Sequence, residues 1–192
     1  MSAERRLFFA LSLPAKMQKQ VIKWRADNFP AETGRPVAAA NLHITLAFLG
    51  EVSALKEAAL TRVAGRIQGQ TFSLMLDDIG HWPGSGVVWI GTRRAPNALL
   101  QLASVLRSHA ARNGCHQSTL PFHPHVSLYR NATRPVAIPP ATPGWQLDAT
   151  EFSLYESLFE RGRTRYHCLQ TWPLLHFQRY VYQVTSVPHR KF

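Results

Sequence analysis

Two short segments of this chain carry the residue types needed to move protons at a phosphorus centre. Leu42-His43-Ile44-Thr45-Leu46 places an imidazole and a hydroxyl two positions apart, and Pro124-His125-Val126-Ser127-Leu128 repeats the spacing. In a strand, alternate side chains share a face. His43 and Thr45 therefore project together, opposite Leu42, Ile44 and Leu46, and His125 and Ser127 project together, opposite Val126 and Leu128. A neutral imidazole takes a proton from a nucleophile, a protonated one gives a proton to a leaving oxygen, and hydroxyls hold non-bridging phosphate oxygens. If the two arms face each other, that set supports acid–base phosphoryl transfer without a carboxylate. One His-x-Thr alone reads as a structural histidine; the second copy is the informative signal.

The elements that must position these arms also repeat. Residues 7–13 read as a strand stopped by Pro14, residues 15–29 as a helix, and residues 41–50 as the strand bearing His43. Residues 87–90 read as a strand, and Pro96 and Asn97 open a helix with Leu99, Leu102, Ala103, Leu106 and Ala110 on one face. The strand bearing His125 follows. Leu7 to His43 is 36 positions and Val87 to His125 is 38. Elsewhere, Ser53 caps a helix through Ile67, residues 71–76 form a strand, and residues 81–86 form a loop. Residues 149–159 and 164–171 read as a hairpin around Arg161-Gly162-Arg163. Two copies of strand–helix–strand suit an α+β fold of two pseudo-symmetric lobes facing each other, with antiparallel or mixed sheets and helices on the outer faces.

Composition bounds the partners. The chain has 192 residues, 45% of them hydrophobic, which excludes a wholly disordered protein. Lys and Arg number 22 against 11 Asp and Glu, a formal charge of +11, and 17 of the 22 cations are Arg. Scarce acids and Arg-rich cations imply an anionic partner, most plausibly nucleic acid. Cys115 and Cys168 allow one disulfide at most, and reduced thiols in the cytoplasm are the expectation. Arg5 and Arg6 before a short apolar run mimic a signal peptide, but Pro14 and Lys16 follow without a cleavage pattern. No run approaches the ~18 apolar residues of a membrane span.

With their flanks, the two arms resemble a known pair of motifs. Asn41-Leu42-His43-Ile44-Thr45-Leu46-Ala47-Phe48-Leu49-Gly50 and Phe122-His123-Pro124-His125-Val126-Ser127-Leu128-Tyr129-Arg130 are similar to those of the 2H phosphoesterases. The chain resembles more closely the bacterial RNA 2′,3′-cyclic phosphodiesterases, also called 2′-5′ RNA ligases. Arg6-Leu7-Phe8-Phe9-Ala10-Leu11 and Ser157-Leu158-Phe159 through Gly162 and Tyr166 extend the likeness over about residues 5–174. The resemblance implies a LigT-like fold with a central cleft. It implies metal-independent, cofactor-free opening of a 2′,3′-cyclic phosphate to a 2′-phosphate, on RNA ends or small cyclic nucleotides, with 2′-5′ joining as a further reaction. By the same carry-over, His43 protonates the departing O3′ and His125 activates water. Thr45 and Ser127 hold phosphate oxygens, Arg130 adds a cation near the phosphate or base, and Phe48 stacks on a base. Ser127 stands where Thr is also common and keeps the hydroxyl.

Other readings remain open at this point. Strict alternation puts Phe48 and Arg130 on the faces opposite the arms, unless a bulge intervenes. His116, His123 and His125 are candidate zinc ligands, although a rim position is the preferred reading for His123. A non-catalytic RNA-binding module would need only the arginines and aromatics. His81, His109 and His167 read as structural or exposed, and Arg161, Arg163 and Arg165 as a solvated hairpin tip. The organisation expected is one two-lobed domain over 1–174, a C-terminal extension over 175–192 without an assigned role, and a monomer.

Overall fold

The computed structural model describes residues 3–176. Phe177, Tyr180, Tyr182, His189, Arg190 and Lys191 of the expected extension lie outside the described residues.

The strands are β1 (Arg5–Ser12), β2 (Arg35–Pro36), β3 (His43–Val52), β4 (Phe72–Leu76), β5 (Asp78–Trp82), β6 (Val87–Gly91), β7 (His125–Arg130), β8 (Trp145–Ala149), β9 (Glu151–Glu160) and β10 (Arg163–Pro173). The α-helices are α1 (Ala15–Asn28), α2 (Ala54–Ala64) and α3 (Asn97–Arg112). Pro14 precedes α1 and Pro30 lies beyond its end, Ser53 Oγ accepts from the Lys56 amide at the start of α2, and Gly114 (φ +78°) follows α3. The segment 78–82, read above as leading into a loop, is instead β5, hairpinned to β6. Its alternation is masked by Gly80, against which the Trp89 ring lies so closely that it would overlap a Cβ there.

One antiparallel sheet carries the site, in the order β10-β9-β1-β3-β7-β6-β5, with β2 added to β7; β4 and β8 form a separate pair. The repeats appear in it as mirror-ordered neighbours. β1 flanks β3 on one side of the centre, and β6 flanks β7 on the other. The two lobes therefore share one sheet, whose centre is the β3–β7 junction, where Ile44 pairs with Val126. Past that rung the edge of β7 changes neighbour, so Tyr129 and Arg130 pair with Pro36 and Arg35 of β2.

The core lies on the other face. Leu7, Phe9 and Leu11 of β1, Ile44 and Leu46 of β3, and Val126 and Leu128 of β7 are each at most 2% exposed. Each such side chain contributes on the order of 1.5–3 kcal/mol on leaving water. The helices cover this face in a crossed arrangement. α3, from the second repeat, packs on β3 of the first. α1, from the first, reaches β7 of the second: Phe29 meets Tyr129 edge-on at 5.7 Å, and Arg25 stacks over the same ring at 5.4 Å.

Candidate active site

The four paired residues gather around the Ile44–Val126 rung. Ile44 and Val126 are buried at 0% and 1% exposure, so His43, Thr45, His125 and Ser127, their chain neighbours, stand on the opposite face. Antiparallel register sets position 43 across from 127 and 45 across from 125. In register, each imidazole-bearing residue thus lies across from the hydroxyl-bearing residue of the other arm. All four are half-buried.

Each imidazole is anchored in the same way. His43 Nδ1–H donates to the carbonyl of Asn41 at 2.7 Å, and His125 Nδ1–H donates to the carbonyl of His123, also at 2.7 Å. Those bonds fix the tautomer and leave Nε2 for chemistry. In the first arm Nε2 accepts from Thr45 Oγ at 2.8 Å. Among the described residues no carboxylate hydrogen-bonds to either ring, so none of them stabilises the imidazolium strongly. Burial pushes the His43 pKa down from 6.5 to about 4, opposed by the Asn41 carbonyl and assisted by the charges of Arg130 and His125. Burial also lowers His125, with His123 and Arg130 adding to the effect and the His123 carbonyl resisting.

Phe48 and Arg130 join this face because both motif strands are bulged at the same place. β3 slips against β1 between Phe9 and Ala10, making Leu46 the extra residue, and β7 slips against β6 between Val88 and Trp89, making Leu128 the extra residue. Leu46 and Ala47 are consequently both buried, as are Leu128 and Tyr129. The burial sequence from His43 to Phe48 is the same as that from His125 to Arg130. Strict alternation fails at these two residues for that reason. The second bulge has its own support: the Leu128 carbonyl accepts from Arg25 Nη1 at 3.0 Å and from the Val37 amide at 2.9 Å.

A cleft of about 1200 Å³ opens beside the junction, and His43, Phe48 and Arg130 line it. Thr45, His125 and Ser127 do not line that cavity; they stand at the strand junction adjoining it. Several site residues were missed in the sequence. Phe8 packs 4.9 Å from the His43 ring and pairs in register with Phe48, and Tyr166 meets His43 edge-on at 5.1 Å. Around His125 the rings of Trp82 and His123 pack at 4.8 Å and 5.9 Å, and Trp89 packs on His123 at 4.5 Å. The available signal for Phe8 was parity: it alternates with the core residues Leu7 and Phe9 on an unbulged strand.

Among the described residues, no group of three His, Cys, Asp or Glu side chains is arranged to hold a metal ion, so His116 does not complete a set with His123 and His125. His81 is bound at 2.7 Å to the Ala132 carbonyl and lies in β5 rather than in a turn. Among the described residues no helix is long and apolar enough to cross a membrane.

The model of the 2′-5′ RNA ligase superfamily matches residues 13–156, a span containing both arms. The chain belongs to that superfamily. It is 59% identical over 174 residues to the RNA 2′,3′-cyclic phosphodiesterase of Escherichia coli strain K12, covering 91% of this chain and 99% of that one. The crystal structure of E. coli LigT complexed with 3′-AMP superposes with a TM-score of 0.86 at 58% identity, over 89% of this chain and 98% of the other. The Thermus thermophilus structure TT0787 superposes at 0.76 and 25% identity, over 88% and 97%. The 2H phosphoesterase likeness read from the motifs is therefore that of the whole α+β fold.

Proposed function

We propose that the chain is an RNA 2′,3′-cyclic phosphodiesterase working by two-histidine acid–base catalysis. The observation that carries this reading is the pair of imidazole–hydroxyl arms meeting at the Ile44–Val126 rung, each anchored through Nδ1 to the carbonyl two residues upstream. The name of the E. coli relative supports the substrate class.

In this reading the cyclic phosphate lies between the arms, with Thr45 and Ser127 donating to its non-bridging oxygens. His125 Nε2 takes a proton as water attacks phosphorus. The P–O3′ bond breaks and His43 Nε2 gives its proton to O3′, leaving a 2′-phosphate and a free 3′-hydroxyl. The phosphate's negative charge raises the pKa of both rings on binding, which provides His43 with its proton. Arg130 adds positive charge, and Phe48 takes the terminal base. A 5′-hydroxyl in the place of water gives a 2′-5′ linkage by the same proton transfers. The proton carriers are side chains, so the reading calls for no cofactor. It places the enzyme in the cytoplasm, where the free thiols Cys115 and Cys168 stay reduced, and as a monomer, because both arms come from one chain. It takes 1–174 as one two-lobed domain.

The test is to incubate the protein, with excess EDTA, with an oligoribonucleotide ending in a 2′,3′-cyclic phosphate and to identify the product. A 2′-phosphate formed at an unchanged rate is expected. A 3′-phosphate, or loss of turnover on chelation, contradicts the mechanism.

A further inference from the structure

The cleft does not stop at the residues assigned to the terminal nucleotide. It extends from His43 across β1 to the inner face of the β9–β10 hairpin, where Phe159, Arg163 and Thr164 line it. On the other side of the junction the rings of Trp82, Trp89 and His123 pack together beside His125. A polynucleotide whose end lies between the arms has open space toward the hairpin.

That wall has the character of a strand-binding surface. Tyr155 lies opposite Phe8 in register and stacks on it at 5.5 Å, so alternation along β9 puts Ser157 and Phe159 on the same face. Phe159 is 73% exposed and, among the described residues, packs on no other ring. Of the three arginines at the tip, Arg165 pairs with Glu160 at 3.5 Å and Arg161 occupies the turn with φ +51°. Arg163 lies across from Glu160 in register, lines the cleft and, among the described residues, has no acidic side chain within ion-pair distance. The nearby carboxylate of Glu156 is already engaged by Arg5 at 3.6 Å. The tip is fixed in place as well: Arg35 Nη2 donates to the Gly162 carbonyl at 3.2 Å, and Asn41 Nδ2 to the Thr164 carbonyl at 2.9 Å.

We propose that RNA upstream of the reactive end runs along the β9–β10 hairpin, the penultimate base stacking on Phe159 and an internucleotide phosphate held by Arg163. This rests on the cyclic phosphodiesterase reading and adds a second nucleotide subsite to it. A π-face accepts any base, and a guanidinium on a phosphate reads no sequence, so the subsite selects length rather than sequence. All three arginines are exposed, as expected of a solvated tip, and Arg163 also lines the cleft.

The experiment measures kcat/KM for the full-length protein and for Phe159→Ala and Arg163→Gln on two substrates. One is a hexaribonucleotide ending in a 2′,3′-cyclic phosphate; the other is 2′,3′-cyclic AMP, too short to reach the hairpin. Each substitution is expected to lower kcat/KM for the hexamer on the order of tenfold while the mononucleotide rate, which also reports correct folding, stays put. Arg163→Gln should in addition flatten the dependence of log kcat/KM on log salt for the hexamer by about 0.7. Equal losses on both substrates, or a hexamer rate untouched by either change, overturn the subsite. If the unsubstituted protein opens neither substrate, it is the cyclic phosphodiesterase reading that fails.

Discussion

Phe48 and Arg130 are equivalent residues of the two repeats, each five positions after its histidine and each turned into the cleft by a bulge at the residue two before it. The same backbone device delivers an aromatic ring from one repeat and a guanidinium from the other. A site with internal twofold backbone symmetry thereby becomes chemically asymmetric, which suits a substrate having a base on one side and a phosphate on the other.

Replacing either imidazole should remove one proton transfer while leaving the fold intact. His43→Ala and His125→Ala are each expected to lower kcat by roughly 10²–10⁴, with circular dichroism and the unfolding midpoint near those of the parent. The double substitution should cost far less than the product of the two, because the residues act as a unit.

The pH profile follows from the direction of the shifts. His43 titrates at about 4 and His125 below 6.5 in the free protein. The productive form has one ring protonated, so kcat/KM should be greatest on the acid side of 6.5 and fall as pH rises. Bound phosphate raises both values, and kcat should peak at higher pH than kcat/KM. Coincident optima at or above neutrality would count against these environments.

Arg130 lowers both histidines through its charge. Arg130→Met should therefore raise both pKa values and move the kcat/KM optimum to higher pH, even as its height falls from loss of a phosphate contact. A purely structural role for Arg130 would reduce the rate without moving the profile.

Stability should depend on pH through the same ring. Unfolded histidine takes a proton near 6.5, whereas folded His43 resists until about 4. The contribution is present above pH 6.5 and is lost as pH falls through that window, by about 1–3 kcal/mol in total. Urea denaturation at pH 7 and pH 4.5 measures it, and His43→Gln should shrink the difference.

Arg25 is a stability element that also supports the site. Its guanidinium, 9% exposed, satisfies the Val37 and Leu128 carbonyls from the far side of the sheet. Arg25→Met should cost about 1–3 kcal/mol in urea denaturation, since the Val37 carbonyl loses its side-chain donor and the Leu128 carbonyl loses one of two. The Leu128 carbonyl keeps the Val37 amide, so the bulge that turns Arg130 toward the cleft should loosen rather than collapse and kcat/KM should fall modestly.

The arms, their parity and the helices that follow β1 and β6 were legible because each depends on local periodicity. His43, Thr45, His125 and Ser127 needed nothing beyond alternation and one repeat. Phe48 and Arg130 defeated alternation because a bulge depends on how a strand registers with its neighbour, and a linear pattern contains no register. β5 escaped for a related reason: Gly80 removes a side chain where the Trp89 ring needs room, so the strand lacks its usual signal. The assignment of each helix to the other repeat's strand depends on which faces meet in three dimensions, and Arg25 reads in the sequence as one more surface cation.

The crossed helices make the repeats interdependent in a way their sequence echo conceals. Severing the chain between the repeats would not release two half-enzymes. Each fragment would retain a motif strand whose oily back had lost its cover, since that cover is encoded on the opposite fragment. Fragments expressed separately should stay insoluble or unstructured and recover activity only when mixed. The molecule therefore cannot be divided along the seam of its own repeat.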